Sequence, residues 1–179
     1  MKDLLYKAVE FATEAHKEQT RKYTGEPYIF HPLEVAQIVA NVLPNDLEAQ
    51  AAAVLHDTVE DTDATLEQIE ELFGERVADL VNKVTKVTEP GNSAGARPRA
   101  VRKELDRQHY ASGCAASQTI KLADVLSNTA DVVDHDPKFA KVYLVEQADL
   151  VASLTKGHKT LFDAANTAVA NAKDALSEL

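Results

Sequence analysis

An apolar run that ends abruptly in histidine and acidic side chains constrains this sequence more than any other feature. Residues 51–55 are three alanines, a valine and a leucine, and His56, Asp57, Glu60 and Asp61 follow within two helical turns. A run of this composition predicts a helix that is buried on most sides, so the polar cluster begins in the interior. A buried carboxylate without a partner is costly. We therefore expect these buried polar side chains to bind a ligand.

The spacing of the cluster indicates a metal site beside a pair of carboxylates. On one continuous helix, residues three or four positions apart share a face, which would place His56 over Glu60. An imidazole next to a carboxylate is a ligand pair for a divalent ion, and we expect His56 and Asp57 to be that pair. Glu60 and Asp61 would hold or deprotonate a water at the metal. The alternative is a solvated acidic helix end with one surface histidine.

Two other segments place polar side chains in apolar surroundings. His31 precedes Pro32, which suits the first turn of a helix, so we expect His31 at the N-cap with a defined direction. Asp124 lies in a second apolar helix, with Lys121 three residues before it and Asn128 four residues after it. These three side chains share one face of that helix. Asp124 is therefore the candidate for the remaining ligand.

The densest basic cluster in the chain follows the segment richest in helix-breaking residues. Residues 88–98 contain two prolines and two glycines, and we expect them to form a mobile loop within a single domain spanning 1–179. Basic residues gathered beside such a loop in an acidic protein indicate an anion-binding site. The alternative is a solvated helix face paired with Glu104 and Asp106. The cluster consists of Arg97, Arg99, Arg102, Lys103 and Arg107.

Charge and composition exclude several classes of protein. The net charge of −10 argues against a general nucleic-acid surface, and no apolar run approaches the roughly 20 residues of a membrane span. A single cysteine, Cys114, excludes an internal disulfide, and the first residues lack the apolar core of a signal peptide, so we expect a cytoplasmic protein. Apolar residues recur at helical spacing, for example over 3–19 and 75–87, and no segment clearly alternates at period two. This pattern predicts an all-α fold.

Taken together, these motifs resemble the HD phosphohydrolase superfamily, in which His…His-Asp…Asp binds one divalent metal inside a helical bundle. Within it, the chain is similar to the small alarmone hydrolases, the stand-alone hydrolase relatives of the RelA/SpoT proteins. The resemblance spans about residues 4–155. It rests on Arg21-Lys22, Gly-Glu-Pro-Tyr-Ile-Phe-His-Pro at 25–32, Leu-His-Asp-Thr-Val-Glu-Asp-Thr at 55–62, Phe73-Gly74 and Lys-Leu-Ala-Asp-Val-Leu-Ser-Asn at 121–128.

The resemblance implies an activity and a role for each candidate residue. The activity would be hydrolysis of the 3′-pyrophosphate of (p)ppGpp, giving GDP or GTP and pyrophosphate, with one Mn²⁺ per chain. The implied metal ligands are His31, His56, Asp57 and Asp124. The implied catalytic residues are Glu60, Asp61 and Asn128. The implied substrate contacts are Arg21, Lys22, Lys121, Arg102, Lys103 and Tyr143.

Other functions fit parts of the sequence. The same pocket could remove the 2′-phosphate of NADPH or act on another nucleotide. A nucleotide sensor without catalysis has no need of Glu60, Asp61 and Asn128, and a helical scaffold leaves the buried polar residues unexplained. We therefore expect a phosphohydrolase whose partner is a small nucleotide, with no nucleic-acid or membrane partner. No oligomeric state follows from the sequence.

Overall fold

The chain is described by a computed structural model over residues 2–88, 94–130 and 132–179, and this part of it is almost entirely helical. The described residues contain no β-strand beyond an isolated antiparallel bridge between Thr20 and Pro27, which confirms the all-α fold. No helix in these ranges is long and apolar enough to cross a membrane. The helices are α1 (Lys2–Ala15), α2 (Phe30–Val42), α3 (Leu47–Leu55), α4 (Thr58–Asp61), α5 (Leu66–Phe73), α6 (Glu75–Val84), α7 (Arg99–Ser112), α8 (Ala115–Thr129), α9 (Val132–His135), α10 (Pro137–Ser153) and α11 (Lys159–Ser177).

Helix α3 lies at the centre of the core because its small side chains let neighbouring helices approach closely. Residues 51–53 and Leu55 are fully buried, and helices α1, α2, α6 and α8 all pack against α3. The N-cap of the helix is Asp46, whose carboxylate accepts a hydrogen bond from the Ala49 N–H (3.1 Å). The end of α3 is thereby held in the interior, as the apolar run predicted.

Helix α8 is the second buried element. Ile120, Leu122 and Ala123 are fully buried. The helix packs against α2, α3, α6 and α11, while α10 and α11 pair with each other on its outer side. Since α2, α3 and α8 also contact one another, polar residues on their facing sides are brought to one region of the core.

The central polar cluster does not lie on one continuous helix, which corrects the sequence prediction. Helix α3 ends at Leu55, and α4 begins at Thr58. The His56 ring donates to the Ala53 carbonyl (2.8 Å), and the Thr58 hydroxyl donates to the Leu55 carbonyl (2.7 Å). These side chains occupy carbonyl oxygens that later backbone N–H groups would use in a helix. The chain therefore turns at residues 56–57.

Three further helix ends differ from the prediction. The helix expected over 3–19 ends at Ala15. The helix expected over 75–87 ends before Thr85, which is extended and donates its hydroxyl to the last turn of α6 (2.8 Å). His31 is the second residue of α2 and not its N-cap, so its direction is set by the helix itself.

The predicted mobile loop over residues 88–98 falls partly outside the described residues, which omit 89–93. On its near side Thr88 is buried. On its far side residues 94–97 form turns that lead into α7. The prediction of a single domain over 1–179 stays a prediction.

We expect enlargement of the α3 core to destabilise the protein. Ala52→Leu adds three carbons to a fully buried position and should lower the free energy of unfolding by about 1–3 kcal/mol, because a close-packed core must shift to accept them. The control is Ala170→Leu, the same change at an exposed position of α11, with an expected effect within about 0.5 kcal/mol. Urea denaturation measures both. Equal effects in the two variants would contradict the close packing of α3.

Candidate active site

Four side chains from α2, the α3–α4 turn and α8 meet in the core. His31 Nε2 lies 3.3 Å from Asp124 Oδ1 and 3.5 Å from Asp57 Oδ2. His56 Nε2 lies 3.1 Å from the same Asp57 oxygen and 3.7 Å from the same Asp124 oxygen. Ligand atoms of His31, His56 and Asp124 all lie within 4.8 Å of one another, a grouping that could hold a metal ion. Two nitrogens and two oxygens are a donor set for a borderline divalent ion.

The opposite nitrogen of each imidazole is engaged elsewhere, which fixes the direction of the ring. The His56 Nδ1 lies 2.8 Å from the Ala53 carbonyl, which can only accept, so the proton is on Nδ1. The His31 Nδ1 lies 2.9 Å from the Ser127 hydroxyl oxygen, and that hydroxyl donates to Glu34 Oε2 (2.6 Å). The Ser127 oxygen therefore accepts from His31. Both rings therefore direct Nε2 at the carboxylates, and this is the nitrogen that a metal ion would bind in place of a proton.

The residues present fit a divalent cation. In the described part of the chain, His56 Nε2 is a buried nitrogen without a hydrogen-bond partner, and such an atom is costly unless something uses its lone pair. Burial lowers the pKa of His56, but the Asp57 and Asp124 carboxylates outweigh burial and raise this pKa to about 10. The negative charge that favours a proton here also favours a metal ion.

The Asp57 carboxylate is oriented by a tyrosine that sequence reasoning missed as a site residue. The Tyr28 hydroxyl donates to Asp57 Oδ2 (2.6 Å) and lies 3.4 Å from Asp61 Oδ2. Burial, followed by the charge of Asp57, raises the pKa of Tyr28 far above its usual value, so the hydroxyl keeps its proton. Tyr28 stood inside the motif at 25–32, but nothing in its spacing pointed to Asp57.

The Asp124 carboxylate is held by two side chains of its own helix. Lys121 Nζ lies 2.9 Å from Asp124 Oδ2, and the Asn128 amide donates to Oδ1 (2.6 Å). Lys121 is only 9% exposed, and its ammonium lies 4.6 Å from the centre of the Tyr110 ring. Burial lowers the pKa of Lys121, but Asp124 and Tyr110 outweigh burial and raise it well above its usual value. Lys121 is thus a charged partner of Asp124, and a direct substrate contact for it stays a prediction.

Glu60 and Asp61 lie on α4 beside this cluster. The Glu60 carboxylate forms an ion pair with Lys86 and also accepts from the Lys86 backbone N–H (3.3 Å). Burial, followed by the charges of Asp57 and Glu60, raises the pKa of Asp61. Sequence reasoning missed Lys86, because the helix predicted over 75–87 assigned it no special position.

A basic cleft of about 360 Å³ adjoins Glu60 and Asp61. In the described part of the chain, the Arg102 Nε is buried without a hydrogen-bond partner. The structure divides the predicted basic cluster, since Arg107 pairs with Glu104 on the helix surface as the solvated-face alternative expected. The basic residues that line the cleft are Lys86, Arg99, Arg102 and Lys103.

Asn128, which bonds Asp124, and Tyr28, which bonds Asp57, line an aromatic cleft of about 300 Å³. Arg21 Nη1 donates to Asn128 Oδ1 (3.3 Å), and Lys22 pairs with Asp136 (3.2 Å). The sequence pattern did not identify three of the four aromatic residues here. The cleft is lined by Arg21, Lys22, Tyr23, Tyr28, Phe139 and Tyr143, among others. The site therefore lies between an aromatic cleft and a basic cleft.

Known proteins share this fold and much of this sequence. A guanosine-3′,5′-bis(diphosphate) 3′-pyrophosphohydrolase of Aquifex aeolicus is 60% identical over 83 residues, which are 46% of this chain but 12% of that protein. The human guanosine-3′,5′-bis(diphosphate) 3′-pyrophosphohydrolase MESH1 is 35% identical over 156 residues, covering 86% of this chain and 83% of the relative. A solved structure of a metazoan orthologue of SpoT that hydrolyses ppGpp superposes with a TM-score of 0.79 at 28% identity, covering 94% of this chain and 93% of that one.

The family match covers the whole of the site. The sequence model of the HD domain matches residues 8–150, which include every candidate ligand and both clefts. The His-Asp pair at residues 56 and 57 lies within it. With this match, and with the human relative similar over most of both chains, the protein belongs to the HD domain family.

Proposed function

We propose that this protein is a metal-dependent hydrolase that removes the 3′-pyrophosphate of (p)ppGpp, producing GDP or GTP and pyrophosphate. The observation that carries the proposal is the meeting of His31, His56, Asp57 and Asp124 between an aromatic and a basic cleft. A purine nucleotide with diphosphate groups matches the chemistry of both clefts. The relatives described above are 3′-pyrophosphohydrolases of this nucleotide by name.

The four ligand residues would hold one divalent cation, and manganese is our proposal for it. Such an ion, when bound, lowers the pKa of a water and neutralises charge that develops at phosphorus. Its ligand residues are already oriented, because Tyr28 holds Asp57 and the imidazole Nδ1 atoms are engaged. The cytoplasm stays the predicted compartment.

Glu60 is the proposed general base. Its carboxylate takes the proton of the water that attacks the phosphorus attached to the 3′-oxygen, and the bond between that phosphorus and the 3′-oxygen breaks. Asp61, adjacent on α4, orients the same water. Asn128 bonds Asp124 and Arg21 at once, which keeps it beside the proposed ligand, and its proposed role is to hold the water or the reacting phosphate.

The proposed substrate contacts divide between the two clefts. Arg21, Lys22 and Tyr143 line the aromatic cleft and would contact the guanine and ribose. Arg102 and Lys103 line the basic cleft and would contact phosphate groups. Burial lowers the pKa of Lys103, so an anionic ligand would strengthen the charged form of this side chain.

The activity itself is the first test. Purified protein with Mn²⁺ and ppGpp should release GDP and pyrophosphate, resolved by chromatography, and EDTA should abolish the release. NADPH and deoxynucleoside monophosphates are the comparison substrates. Faster release of phosphate from NADPH than of pyrophosphate from ppGpp would change the assigned substrate while keeping the reaction class.

Two variants distinguish the proposed general base from a proposed metal ligand. Glu60→Gln should lower kcat about 10²–10⁴-fold, because a general base is lost, and should keep the bound metal. Asp124→Ala should lose the metal, measured by atomic emission after dialysis. The control is Glu70→Gln, at an exposed glutamate of α5. Full activity of Glu60→Gln, or unchanged metal content of Asp124→Ala, would show that the assigned role is wrong.

We expect Ser127 to tune the proposed metal ligand His31. Ser127→Ala removes the acceptor for His31 Nδ1 and should weaken Mn²⁺ affinity about 10–100-fold, the usual effect of losing a partner of a ligating imidazole. Ser117→Ala is the matched control, since Ser117 is a buried serine of the same helix that bonds the Cys114 carbonyl (3.0 Å). Calorimetric titration of the metal-free proteins with Mn²⁺ compares them. Equal Mn²⁺ affinities in the two variants would show that Ser127 does not support His31 as a metal ligand.

A further inference from the structure

Lys86 contacts the proposed base through two different groups. Its ammonium forms an ion pair with the Glu60 carboxylate, and its backbone N–H donates to the same carboxylate (3.3 Å). The side chain of Glu60 is 12% exposed, and that of Lys86 is 42% exposed. The contact is therefore partly shielded from water, where an ion pair is stronger than on an open surface. The mechanism proposed above gives Lys86 no role.

A buried carboxylate of α7 fixes the segment that carries Lys86. Asp106 is 4% exposed. Its Oδ1 accepts from the N–H groups of Val87 and Thr88, each at 3.1 Å, and its Oδ2 accepts from the Thr88 hydroxyl at 2.7 Å. Helix α6 has already ended, so these N–H groups do not continue its hydrogen bonding. Asp106 thus determines where the backbone of Lys86 lies relative to α4.

The surroundings of Glu60 contain charges of both signs. Burial, followed by the charges of Asp57 and Glu60, raises the pKa of its neighbour Asp61. A carboxylate that is largely shielded from water is costly without a partner, and a cation in contact with Glu60 offsets that cost. The groups that face Glu60 are Asp61 on α4, Lys86 after α6, Arg99, Arg102, Lys103, Asp106 and Tyr110 on α7, and Lys121 on α8.

Among these cations Lys86 is the one in contact with Glu60 in the described part of the chain. Lys121 is paired with Asp124 (2.9 Å), and Arg99 is paired with Glu146 through two bonds of 2.7 and 2.9 Å. The ammonium of Lys86 therefore supplies the compensating charge at the base.

We propose that Lys86 is a positioning residue that holds the Glu60 carboxylate in place for proton abstraction, and that Asp106 places Lys86 through Val87 and Thr88. This inference rests on the proposed function, because it takes Glu60 as the base. Through Asp106 and Lys86, helix α7 is connected to Glu60 by hydrogen bonds and an ion pair. Lys86 acts on the base and not on the nucleotide.

The separate effects on kcat and KM test the role of Lys86. With Mn²⁺ and ppGpp saturating, Lys86→Met should lower kcat about 10–100-fold, because the base is no longer held in place. The KM for ppGpp should change by less than about threefold, because Lys86 does not contact the nucleotide. Lys86→Arg keeps a cation beside Glu60 and should recover most of the wild-type kcat.

Lys83→Met is the matched control, because Lys83 lies near the end of α6 and contacts Ser112 (3.5 Å) outside the basic cleft. Its kcat and KM should equal those of the wild type. A Lys86→Met variant with a raised KM and an unchanged kcat would overturn the inference, since Lys86 would then bind phosphate and not the base. Metal content measured in parallel confirms that the variants carry equal Mn²⁺.

Thr88→Val tests the part played by Asp106. This change removes the hydroxyl that donates to Asp106 Oδ2 while nearly keeping the shape of the side chain. The kcat should fall as in Lys86→Met, by a smaller factor, and circular dichroism should show an unchanged fold. An unchanged kcat would overturn the placement of Lys86 through Thr88. A wild-type protein that releases no pyrophosphate would overturn the proposed function, whereas an active one with an unchanged kcat in Lys86→Met overturns only this inference.

Discussion

Two buried carboxylates beside two imidazoles are the arrangement on which the rest of the site depends. Asp57 and Asp124 each approach both Nε2 atoms, at distances from 3.1 to 3.7 Å. Negative charge in the interior is stable only with partners, and the neighbouring side chains supply them. Tyr28 donates to Asp57, while Lys121 and Asn128 hold Asp124. Each partner also restricts where the carboxylate points. The contacts that stabilise the buried charge therefore also fix the geometry of the site before any ligand binds.

This arrangement is possible because the surrounding core is built from small side chains. The alanines of α3 let α2 and α8 approach closely enough for His31 and Asp124 to reach the residues at the end of α3. The turn at residues 56–57 follows from side chains that bond backbone carbonyls within the same few residues. Residues 51–57 therefore contribute to both the core and the site, because the closely packed alanines are followed directly by the residues that end the helix.

The sequence predicted the parts of the site that local composition reveals. Polar residues within otherwise apolar helices pointed to Asp57 and Asp124, and the structure brings them together with both histidines as expected. Residues that act through distant contacts could not be found in this way. Lys86 is 26 positions from Glu60, and Ser127 is 96 positions from His31. Their partners depend on how α6 ends and how α2 packs on α8, which periodicity does not report.

The basic cleft shows how an acidic protein can bind an anion. Two of the cations that line it are paired with carboxylates of the chain, Arg99 with Glu146 and Lys86 with Glu60. A phosphate group that binds Arg99 therefore competes with Glu146 for its N–H donors, which lowers the net gain from the new charge-assisted hydrogen bonds. A doubly charged phosphate exceeds one carboxylate in this exchange, whereas a singly charged anion does not. The pairing thus favours polyphosphates over simple anions without any need for a positively charged surface.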